Sequence, residues 1–194
     1  MYAKVNVPQI KGLTYTFNYG NNYRWNRHYR ANEYVGDGVA FKNNSSYYDW
    51  TLDNILSYKT TYNEKHNIDV TLLYGARENK YESTSSRADG FASILLGYNS
   101  LEQGENLNLN SSAWEESFLY QMARLNYNYM SKYYLTATYR RDGYSGFSKN
   151  NKIGEFPSFA LGWSIAEERF MNDFSFIDQL KLRAGYGQSG NLTD

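Results

Sequence analysis

Side chains that carry covalent or metal chemistry are few in this 194-residue chain and poorly placed for it. There is no cysteine, which excludes a disulfide framework, a thiolate zinc site and a cysteine nucleophile. The two histidines, His28 and His66, lie far apart and form no ligand set, so no metal is expected. Glu115-Glu116 and Glu167-Glu168 are adjacent pairs, and a strand sends neighbours to opposite faces, which defeats an acid–base couple and leaves them as solvated turn charges. No serine sits in a nucleophile-elbow pattern, and neither Gly36-Asp37-Gly38 nor the segment from Tyr98 to Gly104 has the strand-to-helix setting of a phosphate loop. Asn44-Ser45-Ser46, Asn110-Ser111-Ser112 and Asn191-Leu192-Thr193 have the form of glycosylation acceptors, a form that short polar loops produce by chance. No catalytic residue and no cofactor are expected. The abundant chemistry is non-covalent, since the chain holds 21 tyrosines and, by count, 22 asparagines. Tyr23, Trp25, His28 and Tyr29, and further on Trp114, combine aromatic faces with neighbouring Asn and Arg. Sugars stack their apolar faces on such rings while amide and guanidinium groups take the hydroxyls. The same rings would serve equally to pack loops against each other or against a partner protein.

The elements that must position these residues announce themselves by a period of two. Leu13 to Tyr19 alternates without a break; Trp50, Leu52, Leu56, Tyr58 and Tyr62 share one parity; Ile68, Val70, Leu72, Tyr74 and Ala76 share another. Leu119, Ala123, Leu125, Tyr127 and Tyr129 follow, then Tyr133, Leu135, Ala137 and Tyr139, then Phe159, Leu161, Trp163 and Ile165, then Leu180, Leu182, Ala184 and Tyr186. Seven strands are predicted, over 13–19, 50–62, 67–80, 117–130, 133–142, 157–166 and 179–188. The first connections run 30, 4, 36 and 2 residues, so long and short alternate, and a sequel of 14 and 12 weakens the pattern. Short turns at one end and long loops at the other are the topology of a transmembrane β-barrel. On that reading residues 63–66 and 131–132 are periplasmic turns, and Trp50, Tyr62, Tyr127, Tyr129, Tyr133 and Tyr139 belong to interfacial aromatic girdles.

Composition removes other classes. Twenty basic and twenty acidic residues give zero formal charge, so nothing draws the chain to nucleic acid or to an anionic membrane surface. No apolar run is long enough for a transmembrane helix, and residues 1–10 show neither the basic nor the apolar region of a signal peptide. Seven strands cannot close antiparallel. Either residues 24–35 hide an eighth or the chain is a piece of something larger.

The C-terminal third holds a series of motifs: the run from Tyr134 to Phe147 around Arg140-Arg141-Asp142-Gly143, Asn150 to Gly154, Phe156-Pro157-Ser158, Leu161-Gly162-Trp163, Glu168-Arg169-Phe170-Met171, Leu180 to Gly187 with Arg183 inside it, and Gly190-Asn191. In order and spacing this series resembles the SusC-like TonB-dependent outer-membrane transporters. Lys11-Gly12-Leu13, Thr51-Leu52-Asp53-Asn54 and Leu96 to Ser100 extend it over essentially the whole chain. It implies an all-β fold, an antiparallel meander of about seven to eight strands forming part of a large transmembrane barrel and not closed by itself. It also implies a piece, residues 1–194 being a partial barrel, with plug, signal peptide and C-terminal barrel strands lying outside it. The family imports glycans, or in some members peptides, across the Gram-negative outer membrane, with a SusD-like surface lipoprotein and the TonB complex as partners and membrane lipid as surroundings. No enzyme activity is expected.

The motif residues also have physical readings. Pro157 would open a strand, where no ladder donor is needed. Gly143 would free the backbone at the end of a strand. Trp163 would face lipid or the interface, Gly187 with Gly185 would admit a close neighbour, and Arg141-Asp142 would form a local ion pair. Two rivals remain at this stage: a complete eight-stranded barrel with a structural or adhesive role, and a soluble carbohydrate-binding β-domain.

Overall fold

The computed structural model describes residues 1–33, 38–146, 153–174 and 176–190. Among these residues eight strands, each paired with its neighbours in the chain, make one antiparallel sheet in the order β1 to β8, with β1 and β8 as its two edges. They are β1 (Tyr2–Asn6), β2 (Leu13–Asn32), β3 (Val39–Tyr62), β4 (His66–Phe91), β5 (Gly104–Tyr129), β6 (Tyr133–Tyr144), β7 (Ile153–Ser164) and β8 (Lys181–Gly187). All seven predicted strands are present, and the eighth is β1, paired with β2 from Tyr2–Asn18 to Asn6–Thr14. Of the residues suspected of hiding a strand, 24–35, those as far as Asn32 continue β2, and 34–35 lie outside the described residues. The long connections are therefore mostly strand, β3 beginning at Val39 and β4 running on to Phe91. Because the sheet is open, a complete eight-stranded barrel is overturned.

The two tight turns fall where the sequence put them. Asn63 and Glu64 both have positive φ, 49° and 54°, and the Lys65 amide donates to the Tyr62 carbonyl. Met130 and Ser131 repeat this at 52° and 58°, with Lys132 donating back to Tyr129. Two consecutive left-handed residues are the two-residue hairpin whose twist matches that of its strands.

The chain divides into two compact units, to which β2–β5 each contribute residues. In the first (Met1–Gly20, Thr51–Arg77, Ser117–Asp194), the register aligns side chains of one parity across four strands. Tyr129 lies opposite Tyr133, Tyr133 opposite Trp163, and Trp163 opposite Leu182; Leu125, Ala137, Phe159 and Tyr186 form a parallel row. Tyr133, Phe159, Tyr186, Leu161 and Leu182 on this face stand in the open, the last two 55% and 60% exposed, and Leu125, Tyr129, Ala137 and Trp163 are half-buried. The reverse face carries Arg124, Thr138, Arg140, Asn126, Thr136 and Lys181. A soluble sheet buries its apolar face; here the apolar face is the displayed one, as a wall against lipid requires.

In the second unit (Asn21–Trp50, Glu78–Glu116) lies the small apolar core, formed among the described residues by Ala40, Ala88 and Phe91. Ile94, Tyr98 and Leu101, from the β4–β5 connection, pack onto it. Gly38 keeps a positive φ of 88° there, and a Cβ on it would strike the Ile94 side chain at 2.8 Å.

Candidate functional site

The residues singled out for binding lie on strands, not in loops. Tyr23, Trp25, His28 and Tyr29 belong to β2 and Trp114 to β5. Alternation then divides them. Tyr23 packs near Tyr48 and Tyr29 near Tyr98, while the Tyr29 hydroxyl donates to Asn44 at 2.6 Å and the Arg27 guanidinium covers Trp25 at 3.7 Å. His28 has the other parity and meets the edge of Phe41 at 5.2 Å. Trp114 lies on the His28 face, reached through Tyr47 and Arg24. It stacks on Tyr81 at 5.6 Å, inclined by 23°, and meets Tyr47 at 6.1 Å; the Arg24 guanidinium sits over Tyr47 at 4.6 Å.

Arg24, Tyr47, Tyr81 and Trp114 come from four adjacent strands, β2 to β5, and make a row across the second unit. Polar pairs flank it. Ser85 donates to Asn43 at 2.6 Å, Asn22 donates to Asp49 at 3.2 Å, and the buried Asn79 donates to Glu116 at 3.5 Å. Tyr47, Tyr81 and Arg24 were not singled out from sequence; a run of odd-numbered residues (Asn43, Tyr47, Asn79, Tyr81, Ser85) was the available signal. This arrangement holds no nucleophile with a base, and among the described residues no group of His, Asp and Glu that would hold a metal. What it offers is ring faces, amides and one guanidinium.

On the polar face of the first unit, Tyr120 lies against Gly75, where a Cβ would come within 2.1 Å of the ring, and its hydroxyl donates to Asp53 at 2.6 Å. Arg140 donates from Nε to both Asp142 oxygens, at 2.9 and 2.7 Å. Asp142 therefore pairs with Arg140 and not with Arg141, because residues two apart share a strand face and adjacent ones do not. Arg141 stands opposite Gln121 and Glu155 on the other side. At one end of this unit the Glu168 carboxylate receives three donors: the Tyr133 hydroxyl at 2.6 Å, Lys132 Nζ at 3.1 Å and Trp163 Nε1 at 3.1 Å. These hydrogen bonds hold its pKa down to about 2.

Comparison with known proteins agrees with this geometry. No protein-family model matches the chain. TonB-dependent receptor P39 of Formosa agariphila is 34% identical over 203 residues, covering 98% of this chain and 19% of that protein. TonB-dependent receptor SusC of Bacteroides thetaiotaomicron is 35% identical over 160 residues, 78% of this chain and 16% of its own length. Among solved structures, the RagAB peptide transporter superposes with a TM-score of 0.81 at 23% identity, over 96% of this chain and 21% of that one. The chain belongs to the SusC-like TonB-dependent receptors. It spans between 16% and 21% of the length of these relatives, as a segment of barrel wall. They are receptors and not enzymes, and membership replaces the reading as a soluble carbohydrate-binding domain.

The motif residues of this receptor segment are now placed. Phe156, Pro157, Ser158 and Trp163 lie in β7, Leu180 just before β8, Arg183 and Gly187 within β8, and Gly190 beyond it, while Asn191 lies outside the described residues. Pro157 does not open its strand, since β7 starts at Ile153. Its carbonyl accepts from the Gln188 amide, beyond the last β7–β8 rung at Ser158–Gly187, so its missing N–H breaks no rung of that ladder. Gly143 is not a turn residue either; it sits in the ladder between Leu119 and Ile153. Gly187 fits the reading as a close-approach glycine, a Cβ there falling 2.9 Å from that of Ser158. Gly190 lies under the Phe156 ring, 2.4 Å from where its Cβ would be.

Proposed function

We propose that this segment is part of an outer-membrane, TonB-driven importer of oligosaccharides that works with a SusD-like surface lipoprotein. Import requires a wall that is apolar toward lipid and polar toward a lumen, and the two faces of β5–β8 are of that kind. The observation that carries the glycan reading is the row of Tyr47, Tyr81 and Trp114 among amides and hydroxyls. The complete receptor would add a plug and the remaining barrel strands. Tyr23, Trp25 and Tyr29, on the opposite parity of the same unit, would then be candidates for contact with the lipoprotein.

A second reading, peptide import, is favoured by the likeness to the RagAB peptide transporter. Uptake in cells separates the two. A strain lacking the receptor gene should lose TonB-dependent accumulation of fluorescently labelled oligosaccharides and regain it with the intact gene. Unchanged oligosaccharide uptake together with lost peptide uptake would contradict the glycan reading. Affinity-tagged receptor should co-purify a surface lipoprotein, and its isolation alone from mildly solubilised membranes would contradict the partnership.

A further inference from the structure

We propose that Trp114, Tyr81 and Tyr47, closed at one end by Arg24, form a subsite for a neutral pyranose oligosaccharide; the proposal rests on the reading of the receptor as a glycan importer. Trp114 lies 6.1 Å from Tyr47, and Tyr47 lies 4.6 Å from the Arg24 guanidinium, so the row offers one continuous surface longer than a single sugar ring. Tyr81 and Trp114 are near-parallel, at 23°, and Trp114 remains 42% exposed, so a ring face is available to the C–H side of a pyranose. The flanking groups suit hydroxyls. The Asn43–Ser85 and Asn79–Glu116 hydrogen bonds hold polar groups in place beside the row before any ligand arrives.

The surroundings argue against a peptide at this spot. Peptides commonly bind by adding a strand to a free sheet edge, and β3 and β4 are each paired on both sides. The opposite parity of these strands is where the unit spends its apolar packing, Ala40 and Ala88 being fully buried under Ile94, Tyr98 and Leu101. Tyr47 and Tyr81 have the other parity, and their rings meet Trp114 and Arg24 rather than that core.

The test uses the full-length receptor purified in detergent and titrated calorimetrically with maltoheptaose, cellohexaose, laminarihexaose and xylohexaose, with a mixed decapeptide library in parallel. Wild type should bind at least one of the neutral oligosaccharides. Trp114→Ala should weaken that binding about tenfold or more, and Trp114→Phe should restore most of it. Folding is read from the heat-modifiable band; if Trp114→Ala does not reach it, Trp114→Leu, which keeps bulk without a ring, gives the same readout. Wild-type binding that survives loss of the ring to within about twofold would overturn the subsite and leave the glycan reading intact. Binding of peptides with none of the four oligosaccharides would overturn both.

Discussion

Gly75 acts by what it lacks. Its missing Cβ lets the Tyr120 ring settle on β4, and the hydroxyl is held there by Asp53. Gly75→Leu should cost about 1–3 kcal/mol in chemical unfolding of the detergent-solubilised receptor, as overpacking does. The loss should shrink when combined with Tyr120→Ala, because the two share one space. Glu168 is a second such point. Its carboxyl is held down near pKa 2 by hydrogen bonds from Tyr133, Lys132 and Trp163, so its contribution to stability is present above the ordinary carboxylate range and is lost as pH falls toward 2. Wild type should therefore unfold at a higher temperature than Glu168→Gln at pH 7, with the gap closing between about pH 4.5 and 2. A gap independent of pH would contradict this. Neither feature was legible beforehand. A lone glycine in a strand does not name its neighbour, and Glu168 reads as one of two solvated turn charges until the fold brings Lys132, Tyr133 and Trp163 to it.

At the level of strands and turns, what was legible followed the apolar band. Where Leu, Ala, Tyr and Trp alternate with polar residues, as in 119–129 and 133–139, the chain is strand with the predicted parity, although Ile165, at the end of such a run, opens a 3-10 turn instead. Beyond the band the chain stays paired but turns polar. Residues 104–116 of β5 include Asn106, Asn108, Asn110 and Ser112, and β2 continues through Asn21, Asn22 and Asn26, so strands ending in amides passed for loops. Backbone hydrogen bonds hold such segments without an apolar face to betray them. β1 was too short to show a period. The turns carry their own prediction. Met130 and Ser131 occupy left-handed conformations that neither residue favours. Replacing them by Asn-Gly should stabilise the hairpin by about 1 kcal/mol, measured as a shift of the unfolding midpoint.

For the whole molecule, the central claim is that the segment is barrel wall, apolar side toward lipid. The sequence carried this as a repeated motif series and as alternation; the structure adds that the two faces are continuous across β5, β6, β7 and β8. The described buried hydrophobics, Ala40, Ala88 and Phe91, all belong to the second unit, and the first unit is built as a wall rather than around a core. The segment has no cysteine of its own, so with any cysteines elsewhere in the receptor replaced, a label reports only the introduced position. Single cysteines introduced along β6 and β7 of the full-length receptor in lipid vesicles, at Leu135, Thr136, Ala137, Phe159, Ala160 and Leu161, would each carry a fluorophore quenched by brominated lipid. Strong quenching is expected at Leu135, Ala137, Phe159 and Leu161 and little at Thr136 and Ala160. Quenching that ignores this alternation, or that is absent from all six positions, would contradict the central claim.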